Sequence, residues 1–228
     1  MGLTCTDSYV SGLVKPLETK LMEGLELAAT RASSGGANAA LSRWFGDASP
    51  AFGKEIGRKL RQMRSNINIK PIPVAFQPMK IAWVEDENDP TLQNWTIMGR
   101  NSGENASAFP GNRLAIGATL NIPSDMGVSA AVYINEAFRI LPAYLPRAAG
   151  RIDSSGYNQS RYETLVHELT HFFLGTDDVV KWGSADPEVK SYGAQRAEEL
   201  AANNSAGAKN NAENWAIFVE AAGVWNCA

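Results

Sequence analysis

The 228-residue sequence holds two histidines, His167 and His171, which stand four positions apart with Glu168 beside the first. Residues four apart on an α-helix lie on one face, so both imidazoles can reach one metal ion. A tetrahedral zinc, about 2.0–2.1 Å from each nitrogen, suits that spacing. Glu168 projects at a different angle and can take a proton from an attacking water without closing the coordination sphere. The run His167-Glu168-Leu169-Thr170-His171 is thus an HExxH pattern whose chemistry is metal-assisted hydrolysis, with Zn2+ as the expected cofactor.

With no third histidine in the chain, the remaining protein ligand must be a carboxylate. Asp177 and Asp178 follow the motif closely, Asp186 and Glu188 lie in the next polar stretch, and Glu198 and Glu199 fall on the helix beyond. Residue chemistry alone leaves that choice open.

The element carrying the motif is well specified. Ser160 and Glu163 have capping-box spacing, Tyr162, Leu165, Val166, Leu169, Phe172 and Phe173 form one apolar stripe, and Gly175 supplies a stop. Downstream, Ser191 can start a helix to about Ala202, and Asn210 with Glu213 offers a second capping box for a helix through Ala222. Upstream, Leu13, Leu17, Leu21 and Leu25 repeat every fourth residue behind Pro16, and Ser49-Pro50 begins a helix through Met63. Between these helical regions, Ile72 to Phe76, Lys80 to Val84, Trp95 to Met98, Leu114 to Ile122 and Ala130 to Asn135 read as strands. Glu85 to Pro90, Asn101 to Asn112 and Gly150 to Gln159 read as loops. The expected class is α+β with a zincin-like layout: a helix-rich N-terminal part, a small β-sheet, the HExxH helix and C-terminal helices. The chain is long enough for one sizeable core, so a single domain over 1–228 is expected, with a helical lobe at 1–66 and the sheet and motif in 67–228.

A formal charge of −3, from 21 basic and 24 acidic residues, builds no field that nucleic acid or an anionic membrane would select. No run approaches the roughly 18 apolar residues of a membrane span. Met1 to Val10 lacks the charged-then-apolar pattern of a leader, which suits a mature or trimmed chain or one exported without a leader. Cys5 and Cys227, the only two cysteines, would staple the termini if paired, as an oxidising compartment permits; otherwise they are separate thiols.

The last quarter of the chain resembles the aspzincins, the family of deuterolysin and the peptidyl-lysine metalloendopeptidases. The resemblance is carried by His167 to His171, Gly175-Thr176-Asp177-Asp178, Tyr192-Gly193 and Asn211-Ala212-Glu213-Asn214-Trp215. It implies a secreted zinc endopeptidase acting on proteins or peptides, with Asp178 as third ligand and Asp177 ordering the loop around it. It also implies that the Tyr192 hydroxyl steadies the oxyanion. The family's Tyr-Gly usually follows the aspartate sooner; here Val179 to Ser191 intervenes, Trp182-Gly183 occupies the nearer place as a weaker claimant, and the insertion is expected to form a flap. Glu213 maps onto the acid of the pocket for the side chain after the cut bond, while Ala216 stands where lysine-specific members carry a second acid. The pattern is closer to deuterolysin and implies a basic preference without a lysine requirement. Glu213 also fits the third position of the Asn210 capping box. Other readings of the same site are a narrow-substrate effector, with an inhibitor or immunity protein as partner, and a non-catalytic zinc-containing binding module.

Overall fold

The computed structural model describes residues 2–5, 8–69, 72–76, 79–86, 89–100, 106–108, 132–134, 136–155, 158–187 and 189–227. Helix α1 (Ser8–Ser34) buries Val10, Val14, Leu17, Leu21, Leu25 and Ala28 along one face. Pro16 lies inside this helix and not in its first turn. The lost hydrogen bond costs about 3 kcal/mol, but Val10 and Val14 are fully buried upstream of it, and each contributes about 1.5–3 kcal/mol by leaving water. Helix α2 (Asn38–Phe45) ends at Gly46 in the left-handed conformation. Helix α3 (Pro50–Ile69) starts where expected, with the Phe52 amide donating to Ser49 Oγ at 3.3 Å. It runs past Met63 because Met63 and Ile67 continue the buried stripe of Phe52, Ile56 and Leu60.

Strands β1 (Leu3–Cys5), β2 (Ile72–Phe76), β5 (Ala106–Ala108) and β6 (Val132–Ile134) form a sheet in the order β1-β2-β6-β5. The first three in that order are parallel neighbours, and β5 closes the edge antiparallel to β6. Strands β3 (Met79–Asp86) and β4 (Asp89–Arg100) make a separate antiparallel hairpin. The pairs Glu85↔Gln93 and Asp86↔Asp89 extend this ladder into the segment 85–90, expected to be a loop, since backbone pairing does not require apolar side chains. β5 falls likewise within the expected loop 101–112. The expected strand from Leu114 to Ile122 lies outside the described residues.

Beyond the sheet, α4 (Glu136–Ile140) and the short pair β7 (Arg147–Ala148) and β8 (Arg151–Ile152) lead to α5 (Arg161–Leu174). Then come α6 (Ala194–Asn203), α7 (Ser205–Asn210) and α8 (Ala212–Val219), which continues as a π-helical turn over Glu220–Trp225. The architecture is α+β, with the element order expected of the zincin-like layout.

One hydrophobic cluster extends from Leu3 in β1 to Ala222 in the π-helical turn and includes Trp44, Phe45, Val166, Leu169, Trp215 and Phe218. The Phe45 ring meets Trp215 and Phe218 at centroid distances of 5.4 Å in both cases. Helix α1 crosses the π-helical turn so closely that a Cβ at Gly223 would stand 2.2 Å from the Gly24 carbonyl oxygen. Cys5 and Cys227 are unbridged thiols, each partly buried.

Candidate metal centre

Helix α5 starts at Ser160, whose Oγ accepts the Glu163 amide at 3.0 Å, and stops at Gly175 with φ 66°. The other half of the expected capping box is not made. The Glu163 carboxyl is fully buried beside Glu213, and Ser160 Oγ also donates to Glu220 Oε2 at 2.8 Å. Val166 and Leu169 fix α5 in the core while His167 and Glu168, each 6% exposed, line the site.

Three atoms converge there. His167 Nε2 and His171 Nε2 are 3.0 Å apart, and Asp178 Oδ1 stands 3.1 Å from the first and 3.3 Å from the second. Ligand atoms of a tetrahedral zinc lie about 3.3 Å from one another, so this set fits a zinc ion with little adjustment. Asp178 Oδ1 is buried and accepts no hydrogen bond of good geometry, although both imidazoles stand beside it. A buried carboxylate oxygen so placed is a metal donor in search of a cation.

The outer ring nitrogens are held in turn. His167 Nδ1 meets Glu213 Oε2 at 3.0 Å and His171 Nδ1 meets the Thr176 carbonyl at 2.7 Å. An acceptor at each Nδ1 favours a proton there, so that the neutral imidazoles a metal would require turn their Nε2 lone pairs to the centre. Burial works against charge on His167, but Asp178 and Glu213 more than reverse this and raise its pKa well above the usual range. Burial likewise pulls the Asp178 carboxyl up, and the imidazoles of His167 and His171 outweigh it and hold that carboxyl well below the ordinary value. The two shifts are the two sides of one attraction, between the imidazoles and the carboxylate that face each other across the site.

Tyr192 packs its ring against His167 at a centroid distance of 5.8 Å. Burial, followed by the charges of Asp178, Glu168 and Glu213, pushes its phenol well above the usual range, so the hydroxyl keeps its proton and donates. Trp182, the nearer claimant in sequence, is 48% exposed at the turn of a hairpin. Among the other carboxylates considered, Glu198 pairs with Arg43 at 3.2 Å, and Glu199 accepts from Gln195 at 3.1 Å. Asp186 accepts through its carbonyl from Ser184 in the hairpin turn, and Glu188 lies outside the described residues. Asp177 Oδ2 accepts from Asn210 Nδ2 at 2.8 Å and its backbone pairs with Asn211.

One expectation is corrected by the geometry. Glu213 is fully buried behind His167, with Oε2 on the imidazole and Oε1 accepting the Gly193 amide. A substrate side chain cannot reach it, and it is not the acid of a pocket. Its capping-box reading fails as well: α8 is preceded by Asn211, whose side chain makes no cap, and Asn210 ends α7. Two participants went unread in the sequence. Thr176 acts through a main-chain carbonyl, which no residue type announces, and the side chain of Asn211 bonds the Val179 amide 32 residues away.

Paired helical histidines, a carboxylate and a neighbouring glutamate define a metal-dependent hydrolase, and the segment bearing them is that of a zinc metalloendopeptidase. Residues 127–220, somewhat less than half of the chain, match the family model of the aspzincins, described as lysine-specific metallo-endopeptidase. Among solved structures, the chain is similar to a zinc peptidase from Grifola frondosa, at 20% identity and TM-score 0.47, over 87% of this chain and 93% of that one. No curated protein matches the sequence. No helix among the described residues is long and apolar enough to cross a membrane.

Proposed function

We propose that the chain hydrolyses internal peptide bonds with zinc held by His167 Nε2, His171 Nε2 and Asp178, with Glu168 as general base and then general acid. The observation that carries this is the convergence of those three donor atoms within 3.3 Å of one another. Bound there, zinc supplies Lewis acidity that makes a water nucleophilic near neutral pH and polarises the scissile carbonyl. Glu168 takes the proton of the attacking water and returns it to the leaving amine, one carboxylate serving both steps. Tyr192, kept protonated by burial and then by the surrounding carboxylates, donates to the oxyanion as it forms. Glu213 and the Thr176 carbonyl hold the two imidazoles in register.

The chain acts as a single catalytic domain, a reading supported by the hydrophobic cluster that joins the N-terminal helices to α5 and α8. Its place of action is extracellular, on family grounds. A basic preference rested on Glu213, which substrate cannot reach; the choice of residue after the cut therefore does not depend on it. The test is zinc content measured together with cleavage of an unstructured protein, with and without chelator, and cut sites mapped by mass spectrometry. One zinc per chain and chelator-sensitive internal cuts are expected. Stoichiometric zinc without cleavage of any unstructured protein would contradict the reading in favour of a narrow-substrate effector or a structural site.

A further inference from the structure

Residues 179–181 and 189–191 pair as the two strands of a hairpin, joined by hydrogen bonds from Lys181 N to Val189 O at 2.7 Å and from Ser191 N to Val179 O at 2.8 Å. Its two feet adjoin the site directly, because Asp178 precedes Val179 and Tyr192 follows Ser191. Both feet meet one side chain. Asn211 Oδ1 accepts the Val179 amide at 3.1 Å, and Asn211 Nδ2 donates to the Ser191 carbonyl at 3.5 Å. Asn211, Ser191 and Asn214 are all fully buried.

The clamp is itself anchored. Asn211 Nδ2 donates to Asn214 Oδ1 at 2.6 Å, and Asn214 Nδ2 donates to the carbonyls of Trp44 at 2.6 Å and Ala197 at 2.8 Å. The backbone around Asn211 completes the frame: the Asp177 amide donates to Asn210 O at 2.8 Å and the Ala212 amide to Asp177 O at 3.0 Å. Glu213, two residues on, accepts the Gly193 amide. Asp178 is therefore bracketed by bonds to Asp177 and Val179, and Tyr192 by bonds to Ser191 and Gly193, all from residues 210–213. A polar side chain buried at this depth and satisfied at both ends fixes one geometry, since each bond lost would strand a partner in a dry interior.

We infer that Asn211 is a positioning residue, which sets the spacing between Asp178 and Tyr192 by clamping the base of the 179–191 hairpin, so that the tip can vary without disturbing the site. This rests on the metal-site reading above. The clamp is tested on the zinc-free chain by amide exchange and then by zinc titration of wild type and Asn211→Ala. The Val179 amide is expected to exchange at least about tenfold faster in the variant, while Leu169 and Ile217 are unchanged. The zinc dissociation constant should rise about 10–100-fold, as for other residues that orient ligands, the visible spectrum of the cobalt-loaded variant should shift, and kcat should fall with KM near wild type. Equal zinc affinity and an unchanged cobalt spectrum would overturn the inference while leaving the peptidase reading intact. If wild type takes up no zinc, the metal-site reading fails and the amide exchange alone decides the clamp. Should Asn211→Ala not fold, replacing residues 182–188 by a tight Asn-Gly turn decides instead: zinc affinity within twofold of wild type supports the clamp, and a tenfold loss assigns the spacing to the tip.

Discussion

Glu213 and Tyr192 show what a single residue's surroundings decide. The Glu213 carboxylate is closed off behind His167, so Glu213→Gln should weaken zinc about 10–100-fold and leave the distribution of residues after the cut bond unchanged. Zinc titration and mass-spectrometric mapping of the same digest check both halves; a redistribution of cut sites at unaltered zinc affinity would restore the pocket-acid role. Tyr192→Phe removes only the hydroxyl. It should lower kcat about 10²–10³-fold with little change in KM, the size of loss expected for one oxyanion donor, and steady-state kinetics on a short peptide would show it. The two histidines and Glu168 were legible from spacing alone, because helical geometry converts a separation of four into a shared face. Asp178 came from resemblance; of its rivals, Glu198 is seen paired with Arg43, a contact that residue chemistry could not announce. The partnership of Glu213 with His167 was illegible, since it spans 46 positions and a plausible local role, the capping box, masked it.

Among the elements, α5 was the most legible, with its start at Ser160 and stop at Gly175 both read from residue type. What residue type did not disclose is that Ser160 also donates to Glu220 in the π-helical turn. Ser160→Ala removes the cap and one donor to a buried carboxyl, and should cost about 1–3 kcal/mol in chemical denaturation. Glu220 is pushed up to about 7 by burial, against the opposing bonds from Ser160, the Leu145 amide and Trp225. A carboxyl whose folded pKa exceeds its unfolded value binds more protons when folded, so stability falls as pH rises between about 4.5 and 7 and levels off above. The difference in unfolding free energy between wild type and Glu220→Gln, followed from pH 5 to 8, should carry that slope, on the order of 3 kcal/mol in all; a pH-independent difference would show that Glu220 is not perturbed. Helix α1 and the β3–β4 hairpin were read too short for a common reason. Pro16 and the acidic run at 85–90 look like local breaks, yet burial of Val10 and Val14 and backbone pairing across the hairpin override them.

For the molecule as a whole, α+β class and element order were legible because helical and strand periodicities alternate in blocks along the chain. Strand order was not, since the parallel neighbours β1, β2 and β6 come from distant parts of the sequence. The Gly24–Gly223 crossing, which brings α1 against the π-helical turn, was equally hidden, because a glycine in a helix reads as a weakness until its partner is known. Other bonds between distant parts of the chain, from residues 210–213 to Asp177, Val179, Ser191 and Gly193, hold the 177–178 turn and the base of the hairpin in one frame. Hydrolysis by Glu168 at a zinc held by His167, His171 and Asp178 is the central claim. Its most direct test is the cleavage rate of an unstructured protein by wild type and Glu168→Gln, each shown to hold one zinc per chain. At equal zinc content, the variant's rate should fall by at least about 10²–10⁴-fold, whereas a rate within a few fold of wild type would contradict the account.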